Sequence, residues 1–276
     1  MVKKSIILHF LMIFYYFFAF FLIFLIIFYI FLFFCVKIKK EEIMRKILSL
    51  MRKAIEEHSL LEEGDKVAVG LSGGKDSLSL LAALKEYQKY IFPKFELVAI
   101  SVDLTNGQND FSDLKDFCEK LEVPLTIVPS NVFEIVFDIR KEKNPCSLCA
   151  NLRRGLLNSK AKELGCNKVA LGHHRDDLVE TFLLSLFFEG RLSTFKAKTY
   201  LSKTDITVIR PLLYVEEKDL RNLSKDFPVL HNPCPADKHT ERERAKKLLS
   251  MLEQTFPSCK EKLFNAIIHK DRYNLF

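Results

Sequence analysis

The sequence has no internal repeat, no Walker-type phosphate loop and no second Cys-x-x-Cys pair. Each absence removes a class of protein. Without repeats, solenoids and propellers are excluded. A Walker loop needs four residues between a glycine and Gly-Lys-[Ser/Thr], and no stretch supplies that spacing. A zinc finger of paired dithiols is excluded too, because only Cys146 and Cys149 stand at that spacing. The seven cysteines are an odd number and are not arranged like a small secreted scaffold. A reducing cytoplasm, with metal or redox use of some thiols, fits them better than disulfides.

The chain has 276 residues and a net charge of +7. That length suits one domain of ordinary size with an appendage, and the mild basicity is compatible with nucleic acid without demanding it. The appendage is residues 1–43. Ser5 to Val36 is almost wholly Phe, Ile, Leu, Tyr and Met, longer than the roughly 20 apolar residues that cross a bilayer. A cleaved signal peptide fits poorly, since the run is too long and has no small-residue cleavage site. Two readings stand. Residues 5–36 form a transmembrane anchor, with Lys37, Lys39, Lys40, Arg45 and Lys46 holding the rest in the cytoplasm. Alternatively the leader is an upstream extension and Met44 is the true start.

The catalytic argument begins at Lys66–Ser77, KVAVGLSGGKDS. A β-branched apolar run reads as a buried strand, Ser72-Gly73-Gly74 breaks it, and Leu78, Leu80, Leu81 and Leu84 open a helix. A strand, a glycine turn and a helix N-terminus make an anion site, because backbone N–H groups and the helix dipole converge there. Ser72-Gly73-Gly74-Lys75-Asp76-Ser77 resembles the pyrophosphate loop (PP-loop) of the N-type ATP pyrophosphatases. That resemblance implies cleavage of ATP between its α and β phosphates and adenylation of a substrate oxygen.

Downstream, the pattern predicts a helix over Ser77–Tyr90 and a strand at Glu96–Val102. A helix over Phe111–Leu121 and a strand at Pro124–Pro129 follow. Further along come a helix over Cys149–Leu164 with Leu152, Leu156 and Leu164 as its apolar stripe, and a strand at Lys168–Leu171. Alternation of this kind argues for an α/β fold with a parallel sheet, whose ligands sit at the carboxyl ends of the strands. Gly172-His173-His174-Arg175-Asp176-Asp177 leaves the fourth strand at that same edge. Asp177 and Glu180 read as a capping-box pair for a helix over Leu178–Phe188, and a metal or phosphate role for either aspartate is compatible with capping. Arg191–Thr204 reads as a loop or hairpin, Ile206–Ile209 as a fifth strand, Glu216–Lys225 and Glu241–Gln254 as helices. Arg153 and Arg154 fall off the apolar stripe and read as a solvated face or a phosphate contact.

Cys146 and Cys149 alone suit zinc, a redox dithiol or an iron–sulfur site. Cys234, set between Pro233 and Pro235, is a third candidate. Three thiolates with no clear fourth ligand suit a [4Fe–4S] cluster with one iron open to chemistry, while His231 or His239 could complete a zinc site. Cys118, Cys166 and Cys259 read as small apolar residues.

With SGGKDS, PCSLCANLRRG, LGHHRDDLVET, IRPLLYVEEKDL and NPCPAD in this order, residues 44–276 resemble the tRNA 2-thiocytidine synthetase family. The fold implied is the Rossmann-like PP-loop domain of the adenine nucleotide α-hydrolases. The activity implied is ATP-dependent thiolation of cytidine 32 in tRNA, with Mg²⁺ accompanying ATP and sulfur coming from a cysteine desulfurase. Ser72, Gly73, Gly74, Lys75, Asp76, Ser77, His173 and Asp176 are then expected at the nucleotide, with Lys75, Asp76 and Asp177 catalytic. Cys146, Cys149 and Cys234 are the expected cluster ligands, and a homodimer is the expected assembly. Lysidine synthetases share the loop but need no cysteine trio, and wobble-uridine thiolases carry terminal cysteine pairs absent here. A membrane-tethered nucleotide sensor is the reading from another class.

Overall fold

The computed structural model describes residues 28, 37–90, 93–141, 145–230, 234, 241–269 and 272. The apolar leader expected at residues 5–36 lies outside these, apart from Phe28, as do His231, Pro233, Pro235 and His239. Among the described residues, no helix is long and apolar enough to cross a membrane. The chain divides into two compact units, Met1–Arg45 and Lys46–Phe276.

A first helix, α1, runs over residues 37–58. Within the larger unit it buries Ile47, Met51, Ala54 and Ile55, a spacing that puts all four on one face. The sheet follows as β1 (Lys66–Gly70), β2 (Glu96–Asp103), β3 (Leu125–Pro129), β4 (Lys168–Ala170), β5 (Lys198–Leu201) and β6 (Ile206–Ile209). The helices are α2 (Lys75–Tyr90), α3 (Ser112–Lys120), α4 (Pro145–Glu163), α5 (Arg175–Glu189), α6 (Glu217–Leu223), α7 (Glu241–Thr255) and α8 (Cys259–Ile268).

Strand order is β3-β2-β1-β4-β6-β5. All pairs are parallel except the β5–β6 hairpin, so the expected parallel sheet carries one antiparallel edge strand. From β1 the chain winds outward through β2 and β3, then returns to place β4 on the other side. The order therefore reverses between β1 and β4. The loops leaving these two strands part at their carboxyl ends, which opens a ligand crevice there. β1 and β4 bury Val67, Ala68, Val69, Val169 and Ala170 completely, as apolar strands covered on both faces must.

Two expectations are corrected. Helix α5 begins at Arg175, and its N-cap is His174, not Asp177. The capping box is His174 with Asp177 three residues on, one turn earlier than the Asp177–Glu180 pair that the sequence offered. Glu180 is instead buried, with 2% exposure. Helix α4 faces the core with Leu157, Asn158 and Ala161, while Leu152, Leu156 and Leu164 are half-buried. Strand β5, helix α8 and a π-helical turn at Glu134–Ile139 are elements that the periodicity did not single out.

Candidate active site

The loop between β1 and α2 is fixed by its own serines. Ser77 Oγ donates to the Gly74 carbonyl at 2.9 Å and accepts from the Ser72 amide at 3.2 Å. Ser72 Oγ accepts from the Gly74 amide at 3.3 Å. Gly73 sits at φ +77°, a left-handed conformation that favours glycine, and a Cβ there would lie 2.7 Å from Leu230. The Leu230 amide donates to the Gly73 carbonyl at 2.9 Å, so the segment leading toward Cys234 is tied to the loop. Gly172 closes the other side. A Cβ on it would come within 3.0 Å of the Asp76 backbone, so the turn after β4 packs against the start of α2.

Charged groups gather at this junction. Lys75 Nζ lies 2.9 Å from Asp76 Oδ2 and 3.0 Å from Glu217 Oε1. Burial alone would push the Lys75 ammonium down, but Asp76 and Glu217 outweigh it and hold it above the ordinary lysine range. Burial would likewise raise the Glu217 carboxyl. The hydrogen bond and charge of Lys75, helped by Lys246, bring it down to about 2 instead. The His174 Nε2 atom is 3.7 Å from Asp76 and 3.5 Å from Asp177. Asp177 accepts from the His174 amide at 3.1 Å and from Arg242 Nη1 at 2.7 Å. Asp176 accepts from the Glu217 amide at 2.8 Å and lies 3.4 Å from Lys260 Nζ. It thereby caps α6 and anchors the element that carries Glu217.

The structure therefore brings Ser72, Gly73, Gly74, Lys75, Asp76, Ser77, Asp176 and Asp177 to one edge of the sheet. His173 packs against Phe195, with ring centroids 5.0 Å apart, and lies near enough to Asp177 to feel its charge. Burial, with Arg210 second, lowers its pKa to about 4, so the imidazole is neutral at physiological pH.

The three candidate cysteines share a second site. Cys146, Cys149 and Cys234 line one cavity of about 170 Å³ together with Leu104, Phe133, Phe137 and Arg153. Cys146 and Cys149 fall among the first five residues of α4, near the helix N-terminus, where the dipole favours thiolates. Burial pushes the Cys149 thiol up, Arg153 opposes it, and Cys234 and Cys146 add to the rise. Arg153 thus lines the cavity while remaining on the exposed face of α4 that the sequence suggested. Among the described residues, no three His, Cys, Asp or Glu side chains already converge into a metal-binding group. Cys118 and Cys166 are buried elsewhere, as expected of apolar fillers, and Cys259 is half-buried at the start of α8.

Sequence reasoning missed several residues. Glu217 had a faint signal, as one of two acids at the start of a helix. Arg242 had none, because its partner Asp177 is 65 positions away. Asp103, at the end of β2, accepts from the Thr105 and Gly107 amides at 3.0 and 2.6 Å and from Thr105 Oγ1 at 2.7 Å. Burial would raise its carboxyl, but these bonds hold it below the usual range. It shapes the turn beside the phosphate loop.

A family model described as a PP-loop domain matches residues 39–246. A tRNA-cytidine(32) 2-sulfurtransferase of Psychromonas ingrahamii is 38% identical over 239 residues, which is 83% of this chain and 77% of that protein. One of Pseudomonas putida is 37% identical over 236 residues, covering 84% and 86%. Among solved structures, the U34-tRNA thiolase NcsA from Methanococcus maripaludis with its [4Fe-4S] cluster is similar at a TM-score of 0.68 and 26% identity. The likeness covers 85% of this chain and 80% of that one. With a PP-loop model matching most of the chain and two sulfurtransferases 37–38% identical over more than four fifths of it, the chain belongs to the tRNA-cytidine(32) 2-sulfurtransferase family of PP-loop proteins.

Proposed function

We propose that this protein is an ATP-dependent tRNA sulfurtransferase that converts cytidine 32 to 2-thiocytidine. The observation that carries the reading is the pairing of two sites at one sheet edge, a phosphate loop and a three-cysteine cavity, joined by the Gly73–Leu230 contact. Amides of the Ser72–Ser77 turn and the N-terminus of α2 hold the nucleotide phosphates. Lys75 leaves its carboxylate partners to offset charge near the bond being broken. The cytidine O2 attacks the α-phosphorus and pyrophosphate departs. The base oxygen, now part of an adenylate, becomes a leaving group. Sulfur then bonds to C2 and the oxygen leaves with AMP.

Asp76 and Asp177 would hold Mg²⁺ beside the phosphates. Arg242 and the His174 amide fix the orientation of Asp177. Cys146, Cys149 and Cys234 would hold a [4Fe–4S] group, since thiolates are its natural ligands and one cavity contains all three. Such a group, when bound, supplies an open iron position for the sulfur to be transferred. The apolar wall of Leu104, Phe133 and Phe137 keeps water from that sulfur, and Arg153 stabilises the thiolates. A cysteine desulfurase is the proposed source of sulfur, and a homodimer the proposed assembly.

Mass spectrometry of tRNA nucleosides from a deletion strain tests the reaction. Loss of 2-thiocytidine, restored by the wild-type chain, is expected. Loss of a 2-thiouridine instead would move the enzyme to the wobble-uridine thiolases.

A further inference from the structure

One cationic group lies at the reactive edge of the sheet and has no place in the chemistry above. Val69, Ala170 and Ile209 stand side by side across β1, β4 and β6. Arg210 therefore leaves the sheet at the edge that carries the phosphate loop, two strands away, or roughly 10 Å at the usual strand spacing. Its Nη1 donates to the Lys196 carbonyl at 2.6 Å, and its guanidinium stands 5.0 Å over the Phe195 ring. The His173 ring packs on the same phenyl group.

Two polar atoms in this nest have no hydrogen-bond partner: Arg210 Nε and His173 Nδ1 are both buried and unsatisfied. Among the described residues, no carboxylate pairs with Arg210. A half-buried guanidinium without a counter-charge is costly, and here a second cation adds to the cost. Burial, and then the charge of Arg154 on α4, bring Arg210 down to about 10, so it stays charged at neutral pH. The Arg210 guanidinium beside an aromatic ring, with its Nε unpaired and the charge of Arg154 added to it, suits a phosphate oxygen.

That phosphate could belong to a nucleotide or to RNA. The phosphate loop already provides for the nucleotide. The chain leading into the Phe195–Lys196 segment that Arg210 touches carries exposed Arg191 and Lys196 and exposed Phe187, Phe188 and Leu192. Basic and aromatic side chains interleaved on one stretch suit an extended single-stranded polyanion, whose bases can stack while its phosphates are neutralised. We propose that Arg210 and Arg154, against the Phe195–His173 wall, grip a backbone phosphate of the RNA beside the nucleotide being modified. This rests on the tRNA reading above.

The test is binding of an in vitro transcribed tRNA carrying cytidine 32, measured against salt, beside ATP binding to the same protein. Arg210→Gln should weaken tRNA about tenfold or more and lower the slope of log affinity against log salt by about one. ATP affinity should stay within about twofold, which also shows that the variant folds. Arg210→Lys should keep the salt slope but recover only part of the affinity. Arg154→Gln changes an exposed residue and should lower the slope without risk to the core. An unchanged slope in both glutamine variants overturns the proposal. A loss of ATP affinity with tRNA binding intact overturns it too, and gives the site to the nucleotide. Failure of the thiolation assignment would appear separately, as wild-type tRNA without 2-thiocytidine.

Discussion

Lys75 and Glu217 meet at 3.0 Å, joining the first turn of α2 to the first turn of α6. The lysine of the phosphate loop is therefore held between two carboxylates and must exchange one of them for a nucleotide phosphate. Replacing Glu217 by glutamine keeps the shape and removes one negative charge from beside the phosphate site. ATP should then bind about three- to tenfold tighter in EDTA, while the fold loses about 1 kcal/mol from the broken pair. Calorimetric titration of both proteins gives the answer, and equal or weaker binding by the variant would refute it. The pH sign follows from the direction of the shift. Glu217 falls from 4.5 to about 2 on folding, so its contribution is fully present above 4.5 and is lost as pH drops from there through about 2. E217Q should flatten that acid limb.

Much of this site was legible because it is local. Ser72–Ser77 is one continuous turn whose glycines and serines each have a short-range purpose. The strands that feed it are apolar runs that read as buried without any tertiary knowledge. The Cys146–Cys149 spacing survived for the same reason. Long-range electrostatics were not legible: Arg242 reaches Asp177, and Arg210 meets Phe195, through contacts that no periodicity encodes. The α5 cap was misread because Asp177 is a better intrinsic N-cap than His174. Tertiary context, the packing of Gly172 on the Asp76 backbone, starts the helix one turn earlier.

The Gly73–Leu230 contact gives a second prediction. Gly73→Ala places a methyl in a left-handed conformation and within 2.7 Å of Leu230. The expected result is loss of ATP binding, with about 1–2 kcal/mol lost from the fold. Adding Leu230→Gly removes the collision, since Leu230 Cβ itself would lie 2.8 Å away, but not the backbone strain, so the double variant should recover only part of the affinity. Full recovery would mean that φ at Gly73 is unimportant; no recovery would mean that the Leu230 collision contributes nothing.

Glu180 is buried inside the crevice wall, and one of its carboxylate oxygens has no hydrogen-bond partner. Burial raises it from 4.5 to about 7, although Arg242 lies 3.6 Å away. A carboxyl whose pKa rises on folding favours the folded state while protonated. Stability is highest below about 4.5 and declines as pH rises toward 7, by up to about 3 kcal/mol for this group. Glu180→Gln removes that titration. Denaturant melts at pH 5 and pH 8 should therefore show the variant gaining on the wild type as pH rises. A difference that is independent of pH would contradict the assignment.

The cysteine cavity allows the sharpest separation of roles. Cys146, Cys149 and Cys234 share one cavity with Arg153, whereas the phosphate loop is held by serine hydroxyls and backbone amides. Serine at any of the three positions should leave ATP binding within about twofold and abolish 2-thiocytidine, because an alcohol is a poor ligand for iron. Protein purified without oxygen should be brown and should carry iron and sulfide at about four each per chain. Each serine variant should lose both colour and iron. Cys118 is the internal control. Burial pushes its thiol up to about 11, so it reacts slowly with alkylating agents, and Cys118→Ser should keep the iron, the colour and the thiolated nucleoside. A colourless anaerobic preparation with stoichiometric zinc would reassign the trio to a structural site. Iron retained in Cys234→Ser would remove that residue from the ligand set and leave the Cys146–Cys149 pair to act without it.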